Sequence, residues 1–188
     1  KLQFFLKYCK KNNINLIMNY TRNFSSRLNK ISKFLSKNKF GKLKKIEIIY
    51  KKGVYNSCSH YLSFINNFFK LDKIRIIKKE NFFKGNQDYF GNVSLKSTFD
   101  LNLLFTKHKH ERINIIGSKG RLSYITEKNQ VNYLISKKKT MIKCDFDKDQ
   151  KNMINFVKKN IYARKKCYKI FEKNIFILQT LNKICKKI

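Results

Sequence analysis

The residues best suited to chemistry lie in two short segments, Asn19–Phe24 and Gly53–His60. His60 ends the second segment and stands where a helical pattern begins. An imidazole titrates near neutral pH, so a histidine placed there can take up or release a proton during a reaction. The alternative role for His60 is structural, as a ring that packs against or caps the start of a helix.

Three other side chains in these segments are candidates for binding a substrate. Arg22 comes directly after a predicted buried strand, which suits contact with a negatively charged or polyhydroxy ligand as well as a plain surface position. Asn56 can hydrogen-bond a sugar hydroxyl or an imidazole, but it cannot take a proton as a carboxylate does. Tyr55 either contacts the substrate or packs in the core.

The remaining reactive side chains do not form a recognisable site. His108 and His110 flank a turn, but a metal there would need further ligands nearby, so we predict no metal site. The five cysteines are odd in number and lack zinc or redox spacing, which indicates reduced thiols. None of the six glycines forms a G-x-G-x-x-G loop, so we predict no cofactor-binding residues in this chain.

The formal net charge of +33 makes nucleic-acid binding the first alternative to consider. Six of the 44 basic residues are arginine, the residue best suited to bidentate recognition of bases and phosphates. The lysines are spread over nearly every segment, and proline and tryptophan are absent, which is typical of a strongly A+T-biased coding sequence. We therefore expect only non-specific nucleic-acid binding. The alternative function is a basic RNA-binding or ribosome-associated protein, favoured by the charge and the interleaved aromatic residues.

The chain opens with a pattern that is typical of half a βαβ unit. Leu2–Lys11 has apolar residues at helical spacing, and Ile14–Met18 reads as a short buried strand. Because such a strand needs parallel neighbours, we predict that residues 1–18 are the remnant of a nucleotide-binding domain of the Rossmann type. Residues 19–188 then form one substrate-binding and oligomerisation domain.

The rest of the chain predicts an α+β fold with a large open, mostly antiparallel sheet and helices on one face. A helix is predicted over 25–39, a strand over 46–50 and a helix over 61–69, and two amphipathic helices close the chain at 151–160 and 165–187. No run of about 18 apolar residues occurs, so we predict a cytoplasmic protein without a membrane partner. Between the helices, turn signals separate six predicted strands, at 74–77, 93–99, 101–105, 113–116, 122–125 and 131–135.

Four short phrases in chain order resemble a known enzyme family: Asn19–Phe24, Gly41–Leu43, Gly53–His60 and Ile113–Leu122. Asn19–Phe24 is similar to an N-Y-x-R-R-F phrase, with Arg22 at the first arginine and Asn23 in place of the second. Ile113–Leu122 is similar to a strand–turn–strand phrase with a Gly-Ser/Thr-x-Gly turn, and Asn56–His60 to a D-x-G-x-H phrase. Together they resemble the glucose-fructose oxidoreductase and inositol dehydrogenase family (Gfo/Idh/MocA), in the part that follows its nucleotide-binding domain.

The resemblance implies the C-terminal part of an NAD(P)-dependent oxidoreductase that acts on a sugar or sugar-nucleotide-like substrate. It further implies NAD or NADP as the cofactor of the full-length enzyme, and a homo-oligomer formed through the open sheet. Within it, His60 is the catalytic residue that handles the hydroxyl proton, and Arg22, Tyr55 and Asn56 bind the substrate. Asn56 stands where the family has aspartate, and the family's Glu-Lys-Pro segment is absent, so we expect this chain by itself to be inactive.

Overall fold

A computed structural model describes residues 1–25, 31–32, 35, 40–69, 71, 73–108, 110–135, 137–143, 149–162 and 168–186. Within these residues, four α-helices and one eight-stranded sheet account for the regular structure. The helices are α1 Leu2–Lys11, α2 Ser59–Asn66, α3 Asp149–Tyr162 and α4 Tyr168–Lys186. The strands are β1 Leu43–Tyr50, β2 Arg75–Lys84, β3 Tyr89–Lys96, β4 Asp100–Phe105, β5 Arg112–Gly117, β6 Gly120–Ile125, β7 Gln130–Ile135 and β8 Lys138–Lys143.

The sheet is open, and its strands follow the order β2-β3-β4-β1-β5-β6-β7-β8. β1 lies in the middle, parallel to β4 and antiparallel to β5, and every other pair is antiparallel. The predicted α+β fold with a mostly antiparallel sheet is therefore confirmed. The strands that follow β1 form two antiparallel groups, β2–β4 and β5–β8, because β1 is inserted between β4 and β5.

The core lies between one face of this sheet and the helices. In β1, Ile46, Ile48 and Tyr50 are fully buried, and the alternate residues Lys45 and Glu47 point to the other face. This period of two is the mark of a sheet covered on one side only. Each fully buried large apolar side chain contributes about 2 kcal/mol to folding through removal from water.

The last helix, α4, divides its apolar stripe between two clusters. Leu181 and Ile184 are fully buried in the main core, as predicted for the stripe, together with Ile177. Towards the other end of the helix, Phe171 and Ile175 pack with Leu6 of α1 in a smaller cluster. α4 therefore fastens the first helix of the chain to the sheet domain.

One predicted element is wrong, and one strand was not predicted. The segment 14–18 is extended but has no ladder partner among the described residues, and Ile14 is 45% exposed, so it is not a buried strand. A strand forms only where a neighbour completes its hydrogen bonds, and here the hydroxyl of Tyr168 donates to the Ile14 carbonyl instead, at 2.8 Å. The strand β8 was not predicted, because Lys138–Lys143 is mostly exposed and shows no alternation.

The helix predicted over 25–39 falls largely outside the described residues, and Ile31, Ser32 and Leu35 are helical within them. The assignment of residues 1–18 to a nucleotide-binding domain remains a prediction.

The turn between β5 and β6 forms as predicted, and a close contact explains its first glycine, Gly117. Gly117 is not among the glycines with positive φ. A Cβ at Gly117 would lie 2.3 Å from the Phe40 carbonyl oxygen, a distance that no real Cβ contact tolerates. Gly117 is therefore required by the close approach of Phe40, not by the conformation of the turn.

Candidate active site

His60 is the second residue of α2 and follows a turn of π-helix, Val54–Cys58. Its ring meets the ring of Tyr20 edge to face, with centroids 5.2 Å apart and an interplanar angle of 66°. The structure thus brings together the two segments that the sequence singled out. The half-buried His60 stands beside the buried Tyr20 at the start of α2.

Tyr20 is held as a neutral phenol. Burial raises the pKa of Tyr20, and a hydrogen bond with Ser59, the residue before His60, opposes this shift without cancelling it. The phenol therefore keeps its proton well above neutral pH. Its apolar ring packs beside the imidazole, and its hydroxyl group adds a polar group there.

The turn after Tyr20 is fastened to α2 through amide side chains. Thr21–Phe24 forms a short 3₁₀ helix, from which the Asn23 amide donates to the Ser63 hydroxyl at 2.8 Å. The side-chain amide of Asn67 in turn donates to the side-chain Oδ1 atom of Asn23 at 3.1 Å. Asn23, which stands in place of the family's second arginine, therefore binds Ser63 of α2. The side chain of Arg22 lies outside the part of the chain that the structure describes, so its role remains a prediction.

A buried carboxylate, Asp88, caps the helical segment that leads to His60. Its two oxygens accept the backbone N–H groups of Tyr55 and Asn56 at 2.9 Å each and that of Tyr89 at 2.7 Å. The first N–H groups of a helix have no partner within it, and their positive end favours a carboxylate. Asp88 thus supplies, from the connection between β2 and β3, the cap that the local sequence lacks.

Gly53 makes this cap possible. Its φ is +93°, and a Cβ at this position would lie 2.3 Å from the Asp88 carboxyl carbon. Both the conformation and the closeness of Asp88 exclude a side chain here.

A second carboxylate, Glu111, holds the segment from the core side. It accepts the Ser57 hydroxyl at 2.7 Å, the Lys51 backbone N–H at 3.1 Å and the Tyr61 hydroxyl at 3.2 Å. Glu111 is buried, so each of these bonds is formed away from water, where losing one is costly. Two carboxylates from distant parts of the chain therefore set the position of α2 and of His60.

Tyr55 and Asn56 both lie on the exposed side of this segment. The Tyr55 ring packs 6.2 Å from that of Tyr89, and its hydroxyl donates to the Cys185 thiol. Burial, with Cys185 beside it, raises the pKa of Tyr55, and burial raises the pKa of Cys185 to about 11. Tyr55 is therefore engaged with its own domain, whereas the Asn56 side chain is exposed. Their part in binding a substrate remains a prediction.

Sequence reasoning missed three residues of this region: Tyr20, Asp88 and Glu111. Tyr20 stood within the first segment, but its helix contact could not be inferred from the sequence. Asp88 and Glu111 bind backbone and hydroxyl groups of residues 32 to 60 positions away, and such groups leave no spacing motif. The available signal was their rarity, because the chain has 11 acidic residues against 44 basic ones.

Neither family models nor curated proteins match this chain, but solved structures do. A dehydrogenase (MviM) from Clostridium difficile matches at TM-score 0.73 and 15% identity, over 97% of this chain and 65% of the other. A lysine-to-alanine variant of KijD10, a 3-ketoreductase from Actinomadura kijaniata in complex with TDP-benzene and NADP, matches at TM-score 0.79 and 10% identity. That match covers 96% of this chain and 63% of KijD10.

This chain shares its fold with these solved dehydrogenase and ketoreductase structures. The UDP-N-acetylglucosamine 3-dehydrogenase GnnA from Acidithiobacillus ferrooxidans also matches, at TM-score 0.71 and 9% identity, over 97% of this chain and 64% of GnnA. The chain thus spans less than two thirds of the length of MviM, KijD10 or GnnA. The predicted resemblance is confirmed at the level of the fold.

The described residues also bear on two other kinds of site. No helix within them is long and apolar enough to cross a membrane. Across the same residues, histidine, cysteine and acidic side chains do not gather in a group of three that could hold a metal ion. His110 instead lies 3.4 Å from Glu127, with its Nδ1 towards the Oε2 atom of that carboxylate.

Proposed function

We propose that this chain is the substrate-binding and oligomerisation part of an NAD(P)-dependent oxidoreductase acting on a sugar or sugar-nucleotide-like substrate. The observation that supports this most is the fold shared with a 3-ketoreductase solved with TDP-benzene and NADP, over 96% of this chain. NAD or NADP would be bound by residues outside this chain and would accept the hydride. The enzyme would act in the cytoplasm.

In this proposal, His60 takes the proton from a substrate hydroxyl group while a hydride leaves the carbon that carries this hydroxyl. Histidine suits this task because an unperturbed imidazole has a pKa near neutral pH. Tyr20 fixes the ring of His60 from one side. Asn56, four residues before His60 and exposed, hydrogen-bonds a substrate hydroxyl, and Arg22 and Tyr55 complete the substrate contacts. Asp88 and Glu111 are engaged by backbone and hydroxyl groups, and so they position α2 rather than act as the base.

The decisive experiment replaces His60 in a polypeptide that joins these residues to a nucleotide-binding part. His60→Ala should lower kcat/KM by about a hundredfold or more, the usual contribution of a general acid–base residue. The matched control is His108→Ala, which removes an exposed histidine from the connection between β4 and β5. The control should keep its activity, and both variants should keep the melting temperature within a few degrees. Equal activity of the two variants would overturn the assignment of His60.

The RNA-binding alternative makes a contrasting prediction for the same folded domain. It requires tight RNA binding with a steep dependence on salt, whereas the oxidoreductase proposal predicts weak, sequence-indifferent binding that disappears at moderate salt. A filter-binding titration with one structured and one unstructured RNA separates the two. Tight and selective binding at about 0.15 M salt would favour the alternative.

The proposed homo-oligomer would form through the open face of the sheet. That face carries half-buried apolar residues between charged ones, and β8 exposes Met141 and Ile142 at its edge. Sedimentation of the purified protein would show the mass of a dimer or a larger assembly. A monomer at high protein concentration would contradict this part of the proposal.

A further inference from the structure

The open face of the sheet, opposite α2, carries a cavity of about 410 Å³ between β1, β5, β6, β7 and β8. A polar row forms its floor, because the strand registers place Glu47 beside Asn114, Asn114 beside Ser123, and Ser123 beside Asn132. The row is linked by hydrogen bonds: Asn114 donates to Glu47 at 3.2 Å, and Ser123 donates to the Asn114 oxygen at 2.8 Å. The cavity therefore has a prearranged floor of amide and hydroxyl groups.

Three cations, Arg112, Arg121 and Lys139, line the same cavity. Among the described residues that line it, the one carboxylate is Glu47, which is bound by the Lys45 ammonium at 2.6 Å. Although burial opposes ionisation, hydrogen bonds from Lys45 and Asn114 hold the pKa of Glu47 below its ordinary value. Glu47 is thus ionised and already neutralised by Lys45, so the three lining cations are left without a counter-charge from the cavity itself.

The Nε atom of Arg112 is buried and has no hydrogen-bond partner among the described residues. A buried guanidinium N–H without an acceptor is unfavourable, and an anion in the cavity would supply that acceptor. Arginine presents parallel N–H groups that match the oxygens of a phosphate, which a lysine does not do. In a chain whose cations are mostly lysine, two arginines at one cavity suit a phosphate ligand.

The two arginines stand near opposite ends of the β5–β6 pair. Arg112 lies opposite Ile125, and Arg121 lies opposite Ile116 beside the turn. Four residues along a strand separate the two positions, which corresponds to about 13 Å between backbones. Both arginines line the same cavity. The spacing suits an elongated ligand with an anionic group at each end, and the polar row between suits hydroxyl groups.

We propose that this cavity binds a small sugar bisphosphate, with one phosphate at Arg112, the other at Arg121 and Lys139, and the sugar hydroxyls on the Asn114–Ser123–Asn132 row. The site is separate from His60, which lies on the helix that covers the other face of the sheet. A second copy of the chain on this face would place its three lining cations close to the three of the first copy. An anion in the cavity would also reduce the repulsion between these two sets of charges.

The test is calorimetric titration with fructose bisphosphate, which has a phosphate at each end, at about 0.15 M salt to suppress binding to scattered surface lysines. The wild type should bind, and Arg121→Gln should weaken binding at least about tenfold, since one forked phosphate contact is lost. Arg121 is exposed, so this change should leave the fold intact. Arg112→Gln should weaken binding to a similar degree.

The matched control is Arg75→Gln, which removes the same charge from an exposed position on β2, at the far edge of the sheet. It should change the affinity less than twofold, and His60→Ala should leave it unchanged. Equal losses in the Arg121 and Arg75 variants would show that only net charge matters and would overturn the proposal. It would also be overturned if neutral fructose bound as well as the bisphosphate, or if Arg121→Gln altered only the dimer mass. These outcomes leave the role of His60 untouched, so the two proposals can fail separately.

Discussion

The carboxylate of Asp88 should contribute far more to the free energy of unfolding than its position beside a turn suggests. It accepts three backbone N–H groups, two at Oδ1 from Tyr55 and Tyr89 and one at Oδ2 from Asn56. Asp88→Asn keeps the size of the side chain but turns one oxygen into a donor. At best the variant keeps the two bonds at Oδ1, and its NH₂ group then faces the N–H of Asn56.

The magnitude follows from these contacts. One hydrogen bond to a charged acceptor is lost, at about 1.5 to 3 kcal/mol, and the N–H of Asn56 is left facing another donor. Together with the weaker bonds to a neutral oxygen, we expect the free energy of unfolding to fall by about 3 kcal/mol. With a urea m-value of about 2 kcal/mol/M for a domain of this size, the unfolding midpoint should fall by about 1.5 M.

Urea unfolding followed by circular dichroism measures this directly, with Asp100→Asn as the matched control. Asp100 is half exposed and pairs with Lys96 on the surface, so its change should cost less than about 1 kcal/mol. The slope of the transition should be the same in all three proteins. Equal midpoints for the two variants would refute the role given to Asp88 as the cap of the segment that carries His60.

Three further predictions concern the same region. Gly53→Ala should destabilise the domain by about 2 to 4 kcal/mol, because a Cβ there meets Asp88 and the φ of +93° disfavours it; a normal melting temperature would contradict this. Glu111→Gln should cost about 2 kcal/mol in urea unfolding by weakening its buried hydrogen bonds, and an unchanged midpoint would show that a neutral acceptor suffices. Burial raises the pKa of Cys58 well above its ordinary 9.0, so the stability it contributes is full below about pH 9 and is lost as the pH rises further. The unfolding midpoint of wild type relative to Cys58→Ala should therefore fall between about pH 8 and pH 10.5, and a constant difference would argue against it.

Patterns within single elements predicted most of the fold. The alternation of Ile46 and Ile48 indicated a strand with one covered face, and the stripe through Leu181 and Ile184 indicated a helix on that face. These patterns are local, because burial repeats with the period of the element that carries it. The place of β1 between β4 and β5 could not be predicted in this way, since it depends on pairing between strands that are about 50 to 70 residues apart.

The candidate site was predictable in part. A glycine followed by the start of a helical pattern located His60, and the structure puts it at the beginning of α2. The sequence did not reveal the residues that hold the His60 segment in place. Asp88 binds backbone N–H groups, which nearly every residue has, and Glu111 also binds hydroxyl groups, which many residues have. The contact of Tyr20 with His60 is likewise a product of packing between segments 40 residues apart. Such contacts have no sequence period and emerge only from the assembled fold.

Native mass spectrometry of the gene product, purified from its own cells, tests the central claim most directly, because it reads the polypeptide mass and any bound cofactor together. The proposal predicts a polypeptide heavier than the 22.6 kDa of this chain by at least about 10 kDa, the mass of a small domain, with NAD or NADP bound. A native polypeptide of 22.6 kDa without a bound nucleotide would contradict the oxidoreductase proposal.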